Sequence, residues 1–219
     1  MGSGSLEYVG RLPGAGHRSR SLSRDLLGIP TIYSLFQRAA RGDADRVFVS
    51  QYVQPRPGDR ILDIGCGPAD ILRHMPAVDY LGFDSDPRFV KAARTKYGLR
   101  GEFWCQRVGS EAINVAEAFD IGLAVAILHH LSDQEAYSLL EFARKVLKPE
   151  GRLLTWDPCL VHGQSSLSRL LMSRDRGEFV RSREDYERIV IEAGACVESW
   201  VHTNLLRLPL PSIIMRVRF

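Results

Sequence analysis

The chain has 219 residues, 45% hydrophobic and 25% charged, the make-up of a globular protein with room for one ordinary domain and a substantial core. Its formal charge of +3 sits in residues 1–24, where Arg11, Arg18, Arg20 and Arg24 stand against Glu7; the remainder is formally neutral, which disfavours nucleic acid as a partner. Cys66, Cys105, Cys159 and Cys196 are too widely spaced for a zinc site or a disulfide framework and point to a reducing, cytoplasmic compartment, and the apolar run Ile121 to Leu128 is too short to span a bilayer.

Residues 1–28 are rich in Gly, Ser and Arg without apolar periodicity and read as a disordered arm. Glu7, Asp25 and the lack of an amphipathic face argue against a transit peptide. Residues 29–219 read as a single domain. Ile32, Leu35, Phe36 and Ala39 fall at helical spacing up to Gly42, and Asp43 is placed to cap a second helix through Val47, Val49 and Tyr52. Ile61-Leu62-Asp63-Ile64 is the end of a buried strand, broken by Gly65-Cys66-Gly67-Pro68, with a helical pattern starting at Ala69.

A second strand, Tyr80 to Phe83, ends at Asp84; Asp86-Pro87 then opens a helix that Gly98 closes. Glu102 to Val108 is a third strand, and the near-continuously apolar Phe119 to Ile127 a fourth, buried on both faces, with His129 and His130 at its end. Ser132-x-x-Glu135 is a capping box for a helix to about Leu147, and Arg152 to Trp156 is a fifth strand. An amphipathic stretch Ser165 to Met172 and a charged loop follow. Ser182-x-x-Asp185 caps another helix, and two strand-like runs, from Ala195 and from Ser212, close the chain. The alternation implies an α/β fold with a parallel, doubly wound sheet and helices on both faces; the short final link makes the last pair antiparallel.

In such a sheet ligands sit at the carboxyl ends of the strands. The polar residues there are Asp63, Asp84, Arg107, His129, His130 and Asp157. Gly65 and Gly67 let a ligand approach the backbone. Asp63 in front of the glycines would repel a pyrophosphate and suits a ligand carrying positive charge. Asp84, just after the second strand, is where an acid accepts hydrogen bonds from ribose hydroxyls. A nicotinamide-dependent oxidoreductase is disfavoured by Asp63 and by Asp70 where the third glycine of G-x-G-x-x-G belongs.

The segments DIGCGPA, GFDSD, FDIGLAVAILHHL and VLKPEGRLL resemble the successive motifs of class I S-adenosylmethionine-dependent methyltransferases. The resemblance runs from about Tyr33 to Phe219. It implies a Rossmann-like seven-stranded sheet with the last strand antiparallel. It implies S-adenosyl-L-methionine as cofactor, with Asp63, Gly65 and Gly67 at its methionine end, Asp84 at the ribose, and Cys66, Ser85, Val108 and Ala126 completing the site. Ala69 replaces the family's usual third glycine, and Arg107 stands where an adenine-binding acid is usual. The backbone near Val108, Ser110 or Glu111 is left to read the adenine.

The resemblance further implies a methyl acceptor beyond the fourth and fifth strands, roofed by residues 158–181 as an insertion. His130, His129 and Asp157 are the candidates to take an acceptor proton, and His162 a candidate to touch the acceptor. The arginines 169, 174, 176, 181 and 183 suit an anionic acceptor, with Arg176 the residue singled out; a salt-bridged surface with Asp175, Glu178, Glu184 and Asp185 is the other reading. The functional expectation is a methyltransferase acting on an O or N of a small molecule, without metal, nucleic acid or membrane span. The alternative is a silent cofactor-binding partner subunit.

Overall fold

The computed structural model describes residues 42–106, 118–174 and 178–219. Among the described residues, eight strands form the sheet: β1 (Arg60–Ile64), β2 (Asp79–Asp84), β3 (Glu102–Cys105), β4 (Phe119–Val125), β5 (Leu147–Leu160), β6 (Arg181–Ser182), β7 (Cys196–His202) and β8 (Ser212–Arg218). Seven run in the spatial order β3-β2-β1-β4-β5-β8-β7, with β6 pairing off that path on β5. β3, β2, β1, β4 and β5 are parallel, while β8 is antiparallel to both β5 and β7. The direction of winding reverses between β1 and β4, and it is outside the carboxyl ends of those strands that a crevice opens in a doubly wound sheet.

Alternation along the strands feeds two cores. Leu62, Ile64, Phe83, Ala124 and Leu153 face one side, under helices α3 (Asp133–Val146) and α5 (Arg183–Glu192). Ile61, Tyr80, Leu123 and Leu154 face the other, with α1 (Ala44–Val47), the π-helical turn Phe48–Val53 and α2 (Pro87–Tyr97). The local signals for α2, α3 and α5 act as expected. Asp86 accepts from the Arg88 N–H with Pro87 at the first helical position, Ser132 and Glu135 form a reciprocal capping box, and Ser182 accepts from the Asp185 N–H. Gly194, at φ +70°, follows α5. A further helix, α4 (Ser166–Arg174), covers the amphipathic stretch.

Three expectations are corrected. The segment after the glycine turn is not an α-helix but a five-residue 3-10 turn, Asp70–His74, because Ala69 stands in the left-handed region (φ +55°) and Pro76 blocks continuation. The helix through Tyr52 is α-helical for Ala44–Val47 alone and then widens into the π turn, whose carbonyls receive Arg152 and Arg216. β5 is longer than Arg152 to Trp156. It begins at Leu147 with a register shift against β4 at Phe119/Ile121 and reaches Leu160. The helix expected at Ile32 to Ala39 lies outside the described residues.

Candidate cofactor and acceptor site

The glycine corner is built by β1 running into three left-handed residues, Gly65 (φ +71°), Gly67 (φ +52°) and Ala69 (φ +55°). The N–H groups of Gly65 and Cys66 both donate to the Phe83 carbonyl, at 2.8 and 3.0 Å, locking the corner to β2. A Cβ on Gly65 would run into the Ile127 side chain, so the chain just past β4 is packed against the corner. Among the described residues, a Cβ on Gly67 would meet nothing within 4 Å, as a cradle for a ligand requires. Asp84 closes the corner from the end of β2: Oδ2 accepts from Gly67 N at 3.0 Å and Oδ1 from Asp86 N at 2.8 Å.

The electrostatics of the corner are negative. Asp63 is 2% exposed, and its Oδ2 accepts from the Tyr80 hydroxyl. Burial, together with the carboxylates of Asp63 and Asp84, pushes the Cys66 thiol far above its ordinary range, so it is not a nucleophile here. Burial also raises the Asp84 carboxyl, against the pull of the Asp86 and Gly67 N–H groups. Two acids around an open glycine cradle fit a cationic nucleoside and would oppose a pyrophosphate. Ser85 is exposed beside Asp84. Ala126, directly after β4, holds a left-handed backbone (φ +59°) with its N–H on the Trp156 carbonyl. A strained non-glycine residue at a strand end is a mark of functional sites.

On the acceptor side, a 3-10 turn, Leu128–His130, follows β4. His129 is buried and His130 exposed, with ring centroids 4.0 Å apart. Asp157, at the end of β5 and 1% exposed, accepts at Oδ1 from the His129 backbone N–H (3.2 Å) and pairs with His129 Nδ1 (2.8 Å). Asp157 Oδ2 is buried with no hydrogen-bond partner among the described residues. The Asp157 carboxylate favours the tautomer of His129 that carries its proton on Nδ1. His162 occupies an exposed turn after β5. Val108, Arg107 and Arg176 lie outside the described residues.

Sequence reasoning named His129 and Asp157 separately and gave no sign of their pairing, which depends on β4 and β5 being neighbours. It left the arginine cluster between an anion-binding and a salt-bridged reading, and Arg181 takes the second, with Asp133 in place of the acids named. Arg181 is 8% exposed and spends its guanidinium on the fold: on Asp133 Oδ1 (2.7 Å from Nη2) and on the carbonyls of Leu128, Leu131 and Phe179. Arg183 pairs with Glu187, and Arg169 binds the Gln164 carbonyl. The Phe179 N–H donates to the His129 carbonyl at 3.0 Å, so the segment around Arg181 is strapped onto the histidine turn. Two further absences hold among the described residues: no group of side chains is arranged to hold a metal ion, and no helix is long and apolar enough to cross a membrane.

The glycine corner, the acid at the end of β2 and the reversed end of the sheet match the fold and motifs of class I S-adenosylmethionine-dependent methyltransferases. Residues 61–151 match the family described as "Methyltransferase domain", and S-adenosylmethionine is the cofactor that this likeness indicates. The chain is 31% identical to 27-O-demethylrifamycin SV methyltransferase of Amycolatopsis mediterranei, over 66% of this chain and 56% of that protein. It is 32% identical to a probable tRNA methyltransferase 9B of Mus musculus, over 49% and 24%. The chain spans between 23% and 56% of the length of the curated relatives it matches. Among solved structures, the YcgJ protein of Bacillus subtilis has the same fold (TM-score 0.62, 16% identity, 80% of this chain and 97% of that one). So does the [4+2]-cyclase SpnF (TM-score 0.65, 18% identity, 80% and 78%), which shows the fold without fixing the reaction.

Proposed function

We propose that the chain moves a methyl group from S-adenosylmethionine to an oxygen or nitrogen of a small-molecule acceptor. The observation that carries this reading is the buried His129–Asp157 pair at the carboxyl ends of β4 and β5, beyond the cofactor corner. When bound, the cofactor supplies a methyl carbon already activated by its sulfonium. Asp63 would hold the methionine ammonium and Asp84 the ribose hydroxyls, and the backbone at Gly67 and the turn at Ala126 would admit the nucleoside. The protein's remaining work is alignment, exclusion of water and removal of the acceptor's proton. His129 takes that proton, with Asp157 fixing the tautomer and stabilising the imidazolium. His130 stands beside it at the surface, where an acceptor enters.

A small acceptor is supported by the formal neutrality of the chain outside residues 1–24 and by two kinds of relative, the rifamycin enzyme above and a ubiquinone biosynthesis O-methyltransferase of Azorhizobium caulinodans, 31% identical over 47% of this chain. The tRNA-directed relatives supply the competing substrate. Incubation with methyl-labelled cofactor, a panel of phenols and amines, and bulk tRNA tests the reading. Label in a small molecule is expected; label in tRNA alone would overturn it. Cofactor binding without transfer to anything would favour a silent partner subunit.

A further inference from the structure

We propose that Tyr80 is a positioning residue for the cofactor's methionine end and acts through Asp63; this rests on Asp63 serving that end. Tyr80 lies on β2, 1% exposed, two residues before Gly82, which is the register partner of Asp63 on β1. Its hydroxyl reaches diagonally across the strand pair and donates to Asp63 Oδ2. Two glycines leave the slot in which the ring lies. A Cβ on Gly82 would stand 3.0 Å from Tyr80 Cε1 and 2.9 Å from Cys66 Sγ, and a Cβ on Gly101 would stand 2.9 Å from Tyr80 Cδ1. The ring of Phe103, 5.8 Å between centroids, backs Tyr80 from β3.

The chemistry of the donor is what makes the arrangement useful. Burial, then the neighbouring Asp63 charge, raises the phenol well above its ordinary range, so it stays a proton donor at any working pH. A neutral hydroxyl fixes one carboxylate oxygen in direction without cancelling its charge, as an arginine or lysine partner would. The carboxylate is therefore held in one orientation and keeps its attraction for an ammonium. Pre-organisation of this kind raises affinity by removing the cost of ordering the side chain on binding.

The test is calorimetric titration of Tyr80→Phe, which keeps the packed ring, with two ligands. S-adenosylhomocysteine carries the amino-acid half, and 5′-methylthioadenosine is the same nucleoside without it. We expect Tyr80→Phe to weaken S-adenosylhomocysteine roughly tenfold, equivalent to about 1.4 kcal/mol, while methylthioadenosine changes by less than about twofold. In an Asp63→Asn background the same substitution should cost less than about twofold with either ligand, because the charge it orients is gone. Unchanged S-adenosylhomocysteine affinity, equal losses for both ligands, or an undiminished effect in the Asp63→Asn background would overturn the proposal. Failure of the wild-type protein to bind S-adenosylhomocysteine would overturn the assignment of Asp63, and this proposal with it.

Discussion

Gly65 sits where no other residue fits: its φ of +71° is in the left-handed region, and an added Cβ would collide with Ile127. Gly65→Ala is expected to cost roughly 1–3 kcal/mol in urea unfolding, and to weaken S-adenosylhomocysteine binding because the corner must shift away from Ile127. Ala69 is the contrasting case. It adopts the φ that a third glycine would, at +55°, and its methyl is fully buried. The alanine therefore preserves the shape of the turn at the expense of backbone strain, roughly 1 kcal/mol for one left-handed residue.

Asp84 carries the pH prediction. Its carboxyl is raised by burial, so the folded protein holds that proton more tightly than the unfolded chain does. Keeping it ionised costs stability above the raised value, and that cost disappears on acidification through it. Ligand binding runs the other way, since an ionised Asp84 is the better acceptor for ribose hydroxyls. Affinity for S-adenosylhomocysteine should fall as pH is lowered through the raised value, earlier than an ordinary aspartate at about 3.9 would allow. Asp84→Asn should bind more weakly at neutral pH and lose that dependence.

Among the elements, the segment around Arg181 governs the order of the acceptor side. Three loop carbonyls and Asp133 share one guanidinium, and Arg181 in turn holds the Asp133 carboxyl below its usual range. Arg181→Ala leaves those carbonyls without their donor and is expected to cost roughly 2 kcal/mol in urea unfolding, with faster amide exchange through Leu128 to Leu131. Arg181→Lys should recover little, since an ammonium lacks the planar fork.

What was legible in the chain follows the range of the interaction. The caps at Asp86, Ser132 and Ser182 are contacts within three residues, and their residue types declare them. The strand ends bearing Asp63 and Asp84 were readable from apolar runs cut off by acids and glycines. The 3-10 turn after Ala69 was not, because Ile71, Leu72 and Met75 have helical spacing while the backbone is set by the left-handed Ala69. Arg181 and Tyr80 were not readable either. Apart from the Phe179 carbonyl, two residues from Arg181, their partners lie 48 to 53 residues and 17 residues away along the chain, and only the fold brings them together.

For the whole molecule, the sheet order β3-β2-β1-β4-β5 puts the cofactor corner on β1 and β2 and the His129–Asp157 pair on β4 and β5. On the proposed reading, donor and acceptor chemistry fall on neighbouring strands, on either side of the point where winding reverses. His129→Ala should accordingly lower turnover on a hydroxyl or amine acceptor by roughly 100-fold or more, with S-adenosylhomocysteine affinity within about twofold of wild type. Equal losses in both would make the pair a structural fastening rather than a base.

The central claim is that an acidic glycine corner selects a cationic methyl donor over a pyrophosphate-bearing cofactor. Calorimetric titration of the intact protein with S-adenosylhomocysteine and, separately, with NAD tests it most directly. One saturable S-adenosylhomocysteine site and no heat from NAD is the predicted result. Binding of NAD with no binding of S-adenosylhomocysteine would contradict it.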